Sequence, residues 1–181
     1  MLDNHRLRDD DEYAGNEFPL AYLITIRTFG TWLHGDERGS VNRNRKSARE
    51  SKRRDVNVPL KERMAETLDA EPVVLDRAQR KAVQDAIREV CHHRGYLLYA
   101  LNARSNHGHV VVHAKAKPER VADSLKGYAT RKLRELGLID ANRQIWSRGR
   151  SRRYLWKSRH VEAAVDYVLY CQSDVPFELD D

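Results

Sequence analysis

Tyr96-Leu97-Leu98-Tyr99-Ala100-Leu101-Asn102-Ala103-Arg104-Ser105-Asn106-His107-Gly108-His109-Val110-Val111-Val112-His113 is the stretch that decides the fold. Two runs rich in aliphatic, aromatic and β-branched residues, 96–102 and 107–115, flank a short polar link, which is the pattern of two strands paired as a hairpin. In the second run His107, His109, Val111 and His113 share one face, and Gly108, Val110, Val112 and Ala114 share the other. The valine and alanine face is the natural core side, so the histidines project from the opposite side. Residues two apart on a strand point the same way, so His107 and His109 can close on one metal ion. A lone His-x-His is more often a pair of surface or hydrogen-bonded histidines, and the motif needs a partner elsewhere in the chain.

Upstream of the hairpin, Ala78, Ala82, Val83, Ala86, Ile87 and Val90 form one helical stripe between Asp76, an N-cap, and Gly95, a stop. Before it, residues 20–29 alternate as a first strand, and residues 36–75 lose all regular pattern except for a short helix at 60–68. So long an irregular stretch inside a compact domain is usually functional or disordered. Downstream, Pro118 opens a helix that runs to Leu136 before Gly137. Residues 152–157 read as a fourth strand and 160–172 as a final helix. The order strand, helix, strand, strand, helix, strand, helix predicts an α+β, ferredoxin-like split βαβ fold. Its antiparallel sheet has helices on one face, plus a C-terminal helix. The expected organisation is a poorly ordered acidic tail at 1–17, one domain over 18–175 with a basic insertion at about 36–75, and an acidic tail at 176–181.

The 181 residues hold 33 Lys and Arg against 27 Asp and Glu, a formal net charge of +6 and a pI near 9.4, which favours a polyanionic partner. The cations gather in two blocks, Arg38–Arg54 and Arg143–Arg159, the first opposed by Glu50 alone and the second by no acid. Two such blocks suit a phosphate backbone. The first offers Arg43, Arg45, Arg53 and Arg54 as phosphate contacts. In the second, Arg152, Tyr154 and Trp156 share one strand face, and cations mixed with rings suit a single strand of nucleic acid, although a solvated edge with two buried aromatics fits the segment equally well. No apolar run reaches spanning length and the opening residues lack a signal-peptide core, so no membrane partner and a cytoplasmic location are expected. Cys91 and Cys171 are then reduced thiols.

The final helix offers the histidines a partner. Its stripe is Val161, Ala164, Val165, Val168 and Leu169. Tyr167 falls at the flank of the stripe beside Ala163 and Ala164, while Tyr170 points to solvent. Standing alone, Tyr167 would be a packing tyrosine. Tyr128, the competing nucleophile, lies against the stripe of Leu125, Ala129, Leu133 and Leu136, so core packing or DNA contact suits it better.

Taken together, the chain resembles the HUH single-tyrosine transposases, and within them the REP-associated tyrosine transposases. The matching parts are Tyr22-Leu23-Ile24-Thr25-Ile26-Arg27 with Thr31-Trp32-Leu33, the Asn106-His107-Gly108-His109 strand, the helix from Leu125 to Leu133, the segment from Trp146 to Trp156, and Val165-Asp166-Tyr167-Val168. They follow the family's order over most of residues 20–173. The resemblance implies that His107 and His109 hold a divalent metal, Mg²⁺ or Mn²⁺, and that Tyr167 is the nucleophile that forms a 5′-phosphotyrosine bond. The implied substrate is single-stranded, hairpin-containing DNA. Lys126, Arg131, Arg150, Arg152, Arg153, Tyr154 and Trp156 are the expected DNA contacts in the matching segments. A homodimer in which a second subunit supplies the tyrosine is compatible with it. Two departures stand out: Gly108 replaces a hydrophobic residue, and Cys171 occupies the place of the amide that completes the metal site, with Gln172 directly behind it. Gln172 is the expected third ligand, because a thiol favours a softer metal. The competing readings are a transposase-derived DNA-binding protein without chemistry, and a water-using nuclease with His107, His109 and His113 as ligands.

Overall fold

The computed structural model describes residues 17–33, 40–41, 53–54 and 57–170. In chain order the elements are β1 (Ala21–Thr28), β2 (Ser40–Val41), β3 (Arg53–Arg54), α1 (Val58–Glu66), α2 (Arg77–Arg94), β4 (Leu97–Ala103), β5 (His107–His113), α3 (Pro118–Glu135), β6 (Trp146–Leu155) and α4 (Ser158–Leu169). Four strands make one antiparallel sheet in the order β4-β5-β1-β6. The neighbours of β1 are thus not its successors in sequence, and the helical crossovers place β5 between β1 and β4, the split βαβ arrangement expected from the sequence.

Helix α2 starts where its chemistry requires. The Asp76 carboxylate accepts from Gln79 N at 2.8 Å and the Gln79 side chain accepts from Asp76 N at 2.9 Å, a reciprocal cap of the kind that stabilises a helix by about 1 kcal/mol. Gly95 ends α2 at φ +65° and Gly137 follows α3 at φ +64°, left-handed positions that glycine adopts without strain. Both helices pack on the sheet face formed by Tyr22, Ile24, Ile26, Val110 and Val112, enclosing Val83, Ile87, Val90, Leu125 and Leu133. The opposite face carries a smaller core in which Ala164 and Val168 of α4 meet Leu23, Ala100, Val111 and Leu155. Helix α4 therefore covers the sheet from the histidine side, across from α2 and α3.

The structure corrects several boundaries. The fourth strand begins at Trp146, not 152, because pairing with β1 extends through Thr25↔Ser151 and Ile26↔Arg150 to Thr28↔Trp146. The last helix begins at Ser158 and is described to Leu169, and the short helix covers Val58–Glu66 instead of 60–68. Part of the irregular 36–75 stretch is ordered. Ser40↔Arg54 and Val41↔Arg53 form a two-residue ladder, and Val73 and Leu75 are buried. This last segment is tied to the sheet end by Val73 N donating to Phe29 O at 2.9 Å and Leu75 N to Ser105 O at 2.6 Å. Gly30, at φ +72°, permits the approach, since a Cβ there would lie 2.9 Å from Pro72 Cα. The tails before residue 17 and after residue 170 lie outside the described residues.

Candidate active site

The strand alternation read from the sequence holds. His107 is buried, and its ring and that of His109 meet edge to face with centroids 4.6 Å apart. Tyr167, half-buried on α4, brings its ring to 5.3 Å from His109. The three residues converge within one chain, because α4 lies over β4 and β5 and turns Tyr167 down onto the histidine face.

Each imidazole is oriented by a neighbour. Thr25 Oγ1 lies 2.9 Å from His109 Nδ1, a contact set by the register Thr25↔His109 between β1 and β5. Asn106 Oδ1 lies 2.7 Å from His107 Nδ1. Asn106 is itself anchored, since its carbonyl accepts from Thr28 N and Thr28 Oγ1, both at 3.0 Å. With both Nδ1 atoms engaged on the protein side, coordination of a metal would fall to Nε2, with the outer partners fixing ring orientation and tautomer. Burial first, and then the positive charges of His107, Arg27 and Arg104, push the His109 pKa down to about 3. His109 is therefore neutral at physiological pH, the state in which imidazole binds metal. A neutral His109 beside His107, both rings pre-oriented, fits a divalent ion, and the set is short of a third donor: no group of three His, Cys, Asp or Glu residues gathers among the described residues.

His113 does not join the pair. Its Nδ1 accompanies the Leu20 carbonyl at 2.9 Å, and it sits two strand repeats along from His109, about 13 Å in an extended chain. This removes the geometric support for a three-histidine nuclease site. Tyr128 lies across the sheet on α3, 6.0 Å from His93 and under Arg131 at 5.0 Å. Gln172 and Cys171 lie outside the described residues, as do Arg43 and Arg45. Arg53 and Arg54 are placed only as backbone on β3. Cys91 is a free, buried thiol.

The expected DNA contacts fall into two groups. Lys126 donates to the carbonyls of Ser147 and Gly149 at 2.8 and 2.9 Å, Arg150 pairs with Asp123, and Arg152 pairs with Glu119 at 2.8 Å. These cations bind β6 to α3 on the face away from the histidines. Tyr154 stacks with Trp156, rings 11° from parallel with centroids 6.4 Å apart, and shares that α3 face through its register with Tyr22. Arg153, opposite Leu23, belongs to the histidine face.

Five residues around the histidines escaped the sequence reading: Thr25, Arg27, Asn102, Arg104 and Asn106. Arg27 is directly across from His107, and its guanidinium lies over the Trp32 ring at 3.7 Å. Asn102, in register with His109, donates from Nδ2 to the Val168 carbonyl at 3.1 Å, in the last described turn of α4. The signal for Thr25 and Arg27 was present: they are polar residues at alternate positions of an otherwise apolar strand.

A sequence model of the family described as "Transposase IS200 like" matches residues 67–168. Among solved structures, the chain is similar to a REP-associated tyrosine transposase bound to a REP hairpin, at 14% identity and a TM-score of 0.45, covering 82% of this chain and 63% of that one. It is also similar to a candidate transposase from Deinococcus radiodurans R1, at 14% identity and a TM-score of 0.48, covering 87% and 94%. The chain thus spans 63% of the length of the hairpin-bound transposase. No curated protein matches.

Proposed function

The chain belongs to the IS200-like transposase family, and we propose that it nicks and rejoins single-stranded, hairpin-containing DNA with Tyr167 as the nucleophile. The observation that carries this reading is the convergence of His107, His109 and Tyr167, with ring centroids 4.6 and 5.3 Å apart along the series. In the proposed reaction Tyr167 Oη attacks the scissile phosphorus after its proton passes to solvent base. The P–O3′ bond breaks, and its electron pair leaves on the 3′ oxygen, which takes up a proton as a free hydroxyl. The new Tyr167–phosphate bond holds the 5′ end, and attack by another 3′-hydroxyl reverses the step. A covalent intermediate of this kind conserves the phosphodiester energy, so rejoining needs no nucleotide cofactor.

His107, His109 and Gln172 would hold Mg²⁺ or Mn²⁺. Bound there, the ion would offset the negative charge of the scissile phosphate. The remaining steps belong to the chain itself. Thr25 and Asn106 keep the imidazoles turned outward, the half-buried Tyr167 is delivered by α4, and Arg153 adds positive charge on the same face. The decisive experiment is a denaturing gel after incubation with hairpin-bearing single-stranded DNA and Mn²⁺. A shifted protein–DNA band is expected from the native chain and from Tyr128→Phe, and none from Tyr167→Phe. Cleavage that survives Tyr167→Phe would instead establish a water nucleophile, and the absence of any band with intact DNA binding would favour a binding protein without chemistry.

A further inference from the structure

We propose that Arg27 is the phosphate-binding arm of this site, holding a phosphodiester of single-stranded DNA against the histidine pair, with Trp32 as the plate that fixes its guanidinium. This rests on the nicking reading for the identity of the polyanion, though the contact itself is measurable without catalysis.

Three observations lead to Arg27. The antiparallel register sets it directly opposite His107, and strand alternation puts it on the face of Thr25, whose hydroxyl meets His109. Its guanidinium lies 3.7 Å above the Trp32 ring centre, and its Nε is out of solvent. Stacking fixes the plane of a guanidinium, and a planar fork of N–H donors is the geometry that meets two phosphate oxygens at once. The side chain therefore gives up little rotamer freedom when an anion arrives. Finally, Arg150 and Arg152, which the sequence offered as phosphate contacts, are paired with Asp123 and Glu119 on the other face. Arg104, whose backbone N donates to the His107 carbonyl at 2.7 Å, adds a second cationic residue at the turn beside the pair.

A lysine would carry the same charge without the fork or the stack, which sets the test. Arg27→Met retains an apolar stem against Trp32 and removes the charge; a thermal midpoint near that of the native chain verifies folding. Binding of a hairpin-bearing single-stranded oligonucleotide is then measured against salt. Loss of one phosphate contact should lower the slope of log affinity against log salt by about 0.7. In the Mn²⁺ adduct assay the same variant should be slower by about a hundredfold or more, the loss seen when a donor to developing negative charge is removed. Arg27→Lys should recover the salt slope but not the adduct rate. An unchanged slope in Arg27→Met overturns the proposal whether or not the native chain forms an adduct. A reduced slope together with no adduct from the native chain supports the phosphate contact and overturns the nicking reading instead.

Discussion

Thr25 decides which nitrogen of His109 looks outward. Its hydroxyl is buried on β1, 2.9 Å from Nδ1, and a valine of the same shape would leave that nitrogen without its orienting partner. Outer partners of metal-binding histidines are typically worth ten- to a hundredfold in metal affinity. Thr25→Val should therefore weaken Mn²⁺ binding by about that factor in calorimetry, and Thr25→Ser should retain most of it; equal affinity in all three proteins would show that the contact orients nothing. At Gly108, the other departure noted in the sequence, a Cβ would meet Ile26 Cγ1 at 3.5 Å and Asn102 O at 3.6 Å, ordinary contact distances that the core already accommodates. The histidine pair and Tyr167 were legible as residues because chemistry-bearing side chains interrupt regular apolar patterns there. Thr25, Asn102 and Asn106 were not, since their importance comes from strand register, which brings together residues far apart in sequence.

At the scale of elements, the tyrosine-bearing helix is the piece whose position matters most to the proposed chemistry. Helix α4 has no side-chain cap at its N-terminus and no basic residue in its last turn, and the Asn102 amide reaches across to the Val168 carbonyl. A hydrogen bond of this type contributes on the order of 1 kcal/mol, a factor of roughly five in a local opening equilibrium. Asn102→Ala should accelerate amide exchange in the last turn of α4 by about that factor while leaving α2 unchanged, and should slow adduct formation; uniform exchange across the two helices would place the anchor elsewhere. The helices and the hairpin were legible from caps, glycine stops and periodicity. The part of β6 before Arg152 was not, because Arg148 and Arg150 interrupt any apolar alternation there. That segment is a strand through its backbone ladder to β1, and Arg150 is drawn onto Asp123 of α3, so neither cause is visible in the local sequence.

For the whole molecule, the core predicts an alkaline limit. Burial pushes the Cys91 thiol up to about 11 from 9.0, and burial followed by the neighbouring Tyr154 and Glu119 pushes Tyr22 up to about 12 from 10.0. Both groups hold their protons more tightly when folded, so the stability they confer is complete below about pH 9 and declines as pH rises toward 12. Each group can contribute a slope of up to about 1.4 kcal/mol per pH unit within its own window. Urea unfolding across that range should show the decline, and Cys91→Ala should flatten its first part; an identical profile would mean that the thiol does not titrate with folding. Among the described residues no helix is long and apolar enough to cross a membrane.

Among the described residues the sheet ends on β4 and β6, and a strand unpaired on one side is a template on which other strands can grow. Each edge is spoiled in its own way. On β4 the register slips between Leu98 and Ala100, leaving Tyr99 out of step, and on β6 the rim is a row of arginines. A bulge and a run of charge are both features that work against edge-to-edge growth of a sheet between copies, so each end of the sheet carries its own brake on aggregation.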